Sequence, residues 1–396
     1  MDRRPTPFGW RRNAHPRVLM LAGEPSGDRH GAQVVRAILR RWPDAELVGL
    51  GGEAMEAEGV RLIGSVEDLA VMGFAEVVPR LRFFWRLERR VAGMLADEPP
   101  DIVLPIGFPG LNLRIARRAS RLAVPVVYYI GPQVWAWLPS RAKRLSSYAE
   151  SIALILPFEA AHYPKRPDGR GARIEFVGHP LLEDDSRPDP SGLAAQLGIA
   201  PGAAVLALLP GSRHQELRRH AALFRESAHE LRNRIPGLAV VVSRVASLSA
   251  SAYEGLPFPH ADDTASLMAL ATAGLAKSGT CTLEAALAGM PFAVAYVAHP
   301  ATFALARQLV RVPHLALANL VAGRRVVPEF LQREATPEAV ADALEPLLDP
   351  SSAVRGQMVA DLASIRAELG PPGAAARVAE MVGEALAGGS ATARSP

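Results

Sequence analysis

The chain has 396 residues, 49% of them apolar, and a net charge of +4, which fits two or three domains of about 150 residues with large cores. A single cysteine, Cys281, excludes a disulfide framework and any cysteine-rich metal site, and no metal or other cofactor is expected. The small positive charge leans toward anionic partners, but no strand interleaves aromatic with basic residues, so nucleic acid is not among them.

Residues 1–17 read as a basic leader. The apolar run behind it, Val18 to Ala22, is too short for a signal-peptide core, and no apolar run reaches the roughly 18 residues of a spanning helix. Val18 to Leu21 is a buried strand that enters Gly23-Glu24-Pro25-Ser26-Gly27-Asp28 and then a helix to about Arg41. Further apolar strands follow at Glu46 to Leu50, Asp101 to Ile106, Pro125 to Ile130, Ser151 to Leu156 and Ile174 to Val177, with helical stretches between them. The acidic, proline-rich run Glu183 to Pro190 is the best linker. Beyond it a second round begins with Val205 to Leu209 and continues through Leu238 to Val242, Gly274 to Lys277, Phe292 to Tyr296 and His314 to Leu317. Strands alternating with helices predict parallel sheets covered on both faces. The expected fold class is α/β, with two doubly wound, Rossmann-like domains at 18–184 and 185–365. A helix at 366–387 is expected to pack back on the first domain, and 388–396 to form a disordered tail. The cleft between two such domains is the default ligand site.

Four stretches carry chemistry. Leu275 to Lys277 leads through Ser278-Gly279-Thr280 into a helix-forming run ended by Gly289 and Pro291, so Ser278 or Thr280 can cap a helix whose N–H groups seat a phosphate. Glu284, one turn further on, could accept hydrogen bonds from sugar hydroxyls; an ordinary corner with a surface Glu is the bland alternative. Pro210-Gly211-Ser212-Arg213 puts a guanidinium at a matching strand end, where its fixed donors suit phosphate oxygens, unless Arg213 is merely a surface residue of a basic helix. Glu24 and Asp28, beside Ser26 and Gly27, could hold an acceptor hydroxyl; Ser26 or Asp28 could instead only cap the helix. The stretch with Arg82, Phe83, Phe84, Trp85 and Arg86 can lie in an anionic membrane surface, or dock its apolar face on a sheet with its arginines outside. Gln133-Val134-Trp135-Ala136-Trp137 sets two Trp at strand spacing, as core or as a sugar-stacking platform. His179 reads better as a satisfied loop histidine than as a base.

Together these segments resemble the lipid-A-disaccharide synthases, the inverting glycosyltransferases of family 19. The matching residues are Ala22-Gly-Glu-Pro-Ser-Gly-Asp28, Pro132-Gln-Val-Trp-Ala-Trp137, Ile155-Leu-Pro-Phe-Glu-Ala160, Phe176-Val-Gly-His-Pro-Leu181 and Leu208-Leu-Pro-Gly-Ser-Arg213. They continue with Ser278-Gly-Thr280, Leu283-Glu284, Asn319-Leu-Val-Ala-Gly-Arg324 and Val327-Pro-Glu329. The resemblance implies a GT-B fold, a UDP-sugar donor (UDP-2,3-diacylglucosamine), lipid X as the lipid acceptor, a β-1,6 bond, no metal, and peripheral attachment to the cytoplasmic face of the inner membrane. A homodimer is compatible with it. It implies a UDP site of Arg213, Ser212, Ser278, Gly279, Thr280, Glu284 and Asn319. The acceptor would meet Ser26, Gly27, Asn112 and Gln133. One position departs from the pattern. Where the family has an Asp taken as catalytic, this chain has Gly107, framed by the matching Pro109 and Asn112. The base that takes the acceptor proton is then expected among Asp28, Glu24 and His30, with Asp28 ranked first. A paralogue that binds UDP-sugar or lipid without turnover, a UDP-sugar epimerase, or an enzyme with another acceptor are the alternatives.

Overall fold

The computed structural model describes residues 15–66, 77–164, 171–183, 187–245, 248–299, 303 and 312–388, and the side chains of 77–81 are not described. Most of the leader, part of the linker and the tail from 389 onward therefore lie outside the described residues. The chain forms two compact units, Met1–Glu183 with Pro371–Pro396, and Asp184–Gly370.

The first unit is a seven-stranded sheet in the order β3-β2-β1-β4-β5-β6-β7. Its strands are β1 (Arg17–Ala22), β2 (Glu46–Gly51), β3 (Arg61–Ser65), β4 (Ile102–Ile106), β5 (Val127–Tyr129), β6 (Ser151–Leu154) and β7 (Arg173–Phe176), and every pairing is parallel. Successive side chains of a strand point to opposite faces. In β1, Val18, Met20 and Ala22 accordingly enter one core and Leu19 and Leu21 the other. Both faces are covered, which is why the strand reads as an unbroken apolar run. The first core includes α1 (Pro25–Arg41) and the C-terminal helix Ala374–Gly388, whose Val378, Met381 and Val382 are buried there. Leu87, Val91 and Leu95 of the helix Val77–Asp97 and Leu111 and Ile115 of the helix Pro109–Arg121 fill the second.

The second unit has a six-stranded parallel sheet in the order β10-β9-β8-β11-β12-β13. These are β8 (Val205–Leu209), β9 (Ala239–Ser243), β10 (His260–Ala261), β11 (Ala273–Lys277), β12 (Phe292–Tyr296) and β13 (Glu329–Leu331). The strand expected at His314 to Leu317 is not one. Leu317 opens the helix Leu317–Ala322, and the edge strand is Glu329–Leu331 instead. The N–H groups of Leu315 and Ala316 donate to the Glu329 carboxylate, not to a neighbouring strand. The Gln133 to Trp137 run is likewise a turn, closed by Ala136 and Trp137 N–H bonds to the Gln133 carbonyl.

In each sheet the chain winds outward in both directions from a central pair, β1 with β4 and β8 with β11. Such reversal points leave an opening at the C-terminal ends of the two strands, where open α/β sheets bind ligands.

Candidate active site

In the first unit, Ala22 pairs with Ile106, so Gly23-Glu24 and Gly107-Phe108 leave the sheet side by side. Gly107 and Phe108 both have left-handed backbones, at φ 55° and 45°. The corner is clamped from below. The Gly107 carbonyl accepts from the Asn112 amide at 2.8 Å and the Tyr128 hydroxyl at 2.7 Å, and its N–H donates to the Tyr129 carbonyl at 2.9 Å. The same Asn112 amide donates to the Leu21 carbonyl at 2.9 Å, tying the ends of β1 and β4 together. Asn112 is 1% exposed, and this clasp takes both N–H groups of its amide. The Phe108 ring lies against Gly23, where any β-carbon would come within 2.3 Å of it.

Asp28 also has another task. Its carboxylate accepts from the N–H groups of Gly52 (2.7 Å), Met55 (3.1 Å) and Ala54 (3.1 Å), capping the short helix Glu53–Ala57. Three donors on a carboxylate that is 7% exposed leave it poorly placed to take a proton from a substrate, which corrects its rank as first base. Glu24 is the exposed carboxylate here. It stands at the N-terminus of α1 without capping it, and its charge adds to the upward push on the Tyr128 phenol, which comes first from burial and then from Tyr163. Ser26 is half-buried, Gly27 buried and Gln133 exposed.

His179 is 2% exposed and its Nδ1 accepts the Leu181 N–H at 3.2 Å. Burial, then the neighbouring His30, pushes its pKa down to about 3, so it stays neutral and structural. Trp135 is half-buried and donates from Nε1 to Glu159 at 3.1 Å, while the Ile155 and Leu156 N–H groups donate to the other carboxylate oxygen. Burial pushes Glu159 up to about 7 against those three donors. Trp137 faces outward, with Arg141 4.7 Å over its ring. On the helix Val77–Asp97, Phe83 and Phe84 are half-buried against the core and meet edge to face at 5.9 Å. Trp85 is 58% exposed beneath Arg89, and Arg82 and Arg86 are exposed.

In the second unit, Leu209 pairs with Ala276, bringing Pro210-Gly211-Ser212-Arg213 beside Lys277-Ser278-Gly279-Thr280. Gly211 adopts φ 118°, and a β-carbon there would meet the Glu216 carboxylate at 2.6 Å. That tight turn leads into the helix His214–Arg234. Glu216, in its first turn, accepts the Ser212 N–H at 3.1 Å and the Lys277 ammonium at 2.8 Å, with the Arg213 guanidinium at 3.7 Å. Burial alone would raise the Glu216 pKa, but Lys277, Arg213 and the Ser212 N–H together bring it below the usual value. Arg213 keeps 61% of its side chain exposed.

Ser278 donates its hydroxyl to the Leu315 carbonyl at 3.0 Å, so it ties down a loop and does not cap the helix Cys281–Leu287. Thr280 occupies the cap position without a side-chain bond, and Thr282 donates to the Gly279 carbonyl at 2.8 Å. Glu284 is half-buried one turn on. Asn319 is fully buried. Its amide donates to the Val327 carbonyl (2.9 Å) and Glu329 (2.7 Å), and its oxygen accepts from the Val326 (2.7 Å) and Val327 (2.9 Å) N–H groups. Every hydrogen-bonding position of that amide is occupied, so the expected UDP contact by Asn319 gives way to a brace. Lys277, Glu216 and Glu329 were not singled out from the sequence. The Pro210 to Arg213 and Val327 to Glu329 motifs pointed to their neighbourhood and to no role. Among the described residues no group of three or more His, Cys, Asp or Glu side chains is arranged to hold a metal ion, and no helix is long and apolar enough to cross a membrane.

Two parallel doubly wound sheets, each with its motifs at the reversal point, make up the GT-B fold. The fold is shared with UGT89C1 of Arabidopsis thaliana complexed with UDP-L-rhamnose (TM-score 0.64, 15% identity, 94% of this chain and 99% of that one). It is shared too with CalG4, the calicheamicin glycosyltransferase (TM-score 0.56, 19% identity, 94% and 98%). The model of the lipid-A-disaccharide synthetase family matches residues 18–369. The lipid-A-disaccharide synthase of Myxococcus xanthus is 38% identical over 94% of this chain and 98% of its own length, and that of Alkalilimnicola ehrlichii 40% identical over 87% and 93%. The chain belongs to the lipid-A-disaccharide synthase family and is a glycosyltransferase.

Proposed function

We propose that this enzyme joins UDP-2,3-diacylglucosamine to lipid X, 2,3-diacylglucosamine 1-phosphate, with inversion, forming a β-1,6 bond and releasing UDP. The observation that carries the reading is the Arg213, Ser212 and Gly279 corner at the reversal point of the second sheet, in a chain of this family. The diphosphate lies against Arg213 and the Ser278-Gly279-Thr280 turn, and Glu284 takes the ribose hydroxyls. The acceptor sits beside Ser26, Gly27 and Gln133. Glu24 removes the proton from its 6-hydroxyl as that oxygen attacks the anomeric carbon. The bond from that carbon to the diphosphate oxygen breaks, and Arg213 stabilises the charge that arrives on UDP. Asp28 holds the Glu53–Ala57 helix beside this corner and takes no part in proton transfer. Trp85, Arg82 and Arg86 bring the enzyme to an anionic membrane surface.

Gly107 favours a second reading, a chain that binds UDP-sugar and has lost turnover, because glycine carries no group that could move a proton. Turnover of purified protein with UDP-2,3-diacylglucosamine and lipid X separates the two. Disaccharide product supports the first; intact UDP binding without product supports the second.

A further inference from the structure

Lys277 ends β11 with 15% of its side chain exposed, and Glu216 beside it is 17% exposed. Its ammonium carries three N–H donors, of which the Glu216 carboxylate takes one. The ring of Tyr296 lies below it, 5.7 Å from Nζ to centroid. On another side is Gly279, where a β-carbon would stand 3.9 Å from Nζ, at ordinary contact distance, so nothing larger than a glycine edge lies between the ammonium and this turn. The same Glu216 oxygen that holds Lys277 lies 3.7 Å from Arg213. The two cations are therefore no further apart than two polar contacts through one atom. The other titratable neighbour on the helix His214–Arg234, His220, has both ring nitrogens engaged. Nδ1 bonds the Glu216 carbonyl at 2.7 Å and Nε2 accepts the Val297 N–H at 3.0 Å, which makes it neutral. Lys277, Arg213 and Glu216 together carry one net positive charge.

We propose that Lys277 is a second phosphate-binding cation of this corner and the residue that makes it prefer nucleoside diphosphates over monophosphates. The inference rests on the UDP-binding reading above. Arg213 presents a planar fork to one phosphoryl group, while Lys277, a compact charge on a stem that Glu216 holds in place, meets the adjoining one. A monophosphate satisfies one cation and leaves the other with Glu216. A diphosphate engages both.

Calorimetry with UDP, UMP and uridine tests this on the full chain. Lys277→Met is expected to weaken UDP about tenfold or more, as loss of a charged hydrogen bond does. UMP should weaken less than about threefold, and uridine should not change. Lys277→Arg, which keeps the charge, should restore most of the difference. Because Lys277→Met strands Glu216 without its cation, the Lys277→Met, Glu216→Gln pair serves where the single variant does not fold; it too should lose the preference of UDP over UMP. Equal weakening of all three ligands, or an unchanged UDP-to-UMP ratio in either variant, overturns the assignment while the UDP site stands. Wild type that binds UDP no better than uridine overturns the UDP reading and this inference with it.

Discussion

Polar side chains at the end of β1 and β4 mostly bond to backbone. Asp28 caps a helix, Asn112 clasps two strand ends, and Tyr128 holds the Gly107 carbonyl. At the end of β8 and β11 they form a charge cluster instead, with Arg213 and Lys277 gathered on Glu216. The first corner is a shelf of side chains tied to backbone, on which the Glu24 carboxylate is exposed. The second is a cation pair held at the surface by a counter-ion. The contrast matches the two halves of a glycosyl transfer, in which one partner must lose a proton and the other must leave as an anion.

The sharpest way to break this comparison is Glu24→Gln. If Glu24 is the group that takes the proton, kcat should fall by about 10²–10⁴, the range for general-base assistance, with UDP affinity unchanged. Steady-state turnover alongside calorimetry measures both, and a variant that turns over like wild type removes Glu24 from the mechanism. Asn112→Ala is smaller and acts on stability. It leaves the buried Leu21 carbonyl without its donor and should cost about 1–3 kcal/mol in denaturant unfolding. A loss of turnover with unaltered unfolding would instead mean that Asn112 meets the acceptor.

Both corners were legible as places, and far less so as sets of roles. A strand, small residues and a helix follow each other within a dozen positions, so the reversal-point motifs could be read locally. What Asp28, Asn112 and Asn319 do depends on partners that the local sequence does not name. Asp28 meets Gly52, 24 residues on, and Asn112 meets Leu21, 91 residues back. Near polar residues in a ligand motif, a carboxamide that braces the backbone reads the same as one that binds substrate. The run His314 to Leu317 failed as a strand for a related reason. Its N–H groups find their acceptor in one side chain, Glu329, which apolar spacing cannot reveal.

His179 offers a pH test confined to the first unit. Its folded pKa of about 3 lies below the ordinary 6.5. Above pH 6.5 neither folded nor unfolded chain binds the proton, so it contributes no pH dependence. As pH falls from 6.5 toward 3, the unfolded chain takes up a proton that the folded one refuses, and stability declines. From pH 7 to pH 5 this amounts to about 2 kcal/mol. Urea unfolding at the two pH values should show that drop in wild type and a smaller one in His179→Asn; equal drops would place the acid sensitivity elsewhere.

Gly107→Asp carries the smallest expected change. The backbone at φ 55° is left-handed, a region Asp enters more readily than most residues, at a cost of about 1–2 kcal/mol or less. Space is not the obstacle, since the nearest atom to a new β-carbon is Ile130 Cγ2 at 4.0 Å. The variant should therefore fold. Position 107 is level with Gly23, the residue before Glu24, because Ala22 and Ile106 are partners in the sheet. If Glu24 already takes the proton, a second carboxylate at the same hydroxyl adds little, and kcat should change by less than about fivefold, well short of the 10²–10⁴ that a missing base would return. The double variant Glu24→Gln, Gly107→Asp then decides how the two positions relate. Recovery of turnover relative to Glu24→Gln means that the ends of β1 and β4 address one hydroxyl from two sides, and that this chain uses the β1 side. A gain of a hundredfold or more in Gly107→Asp alone would mean the reverse: the shelf is intact, Glu24 is not the base, and the proton has no acceptor in the native chain.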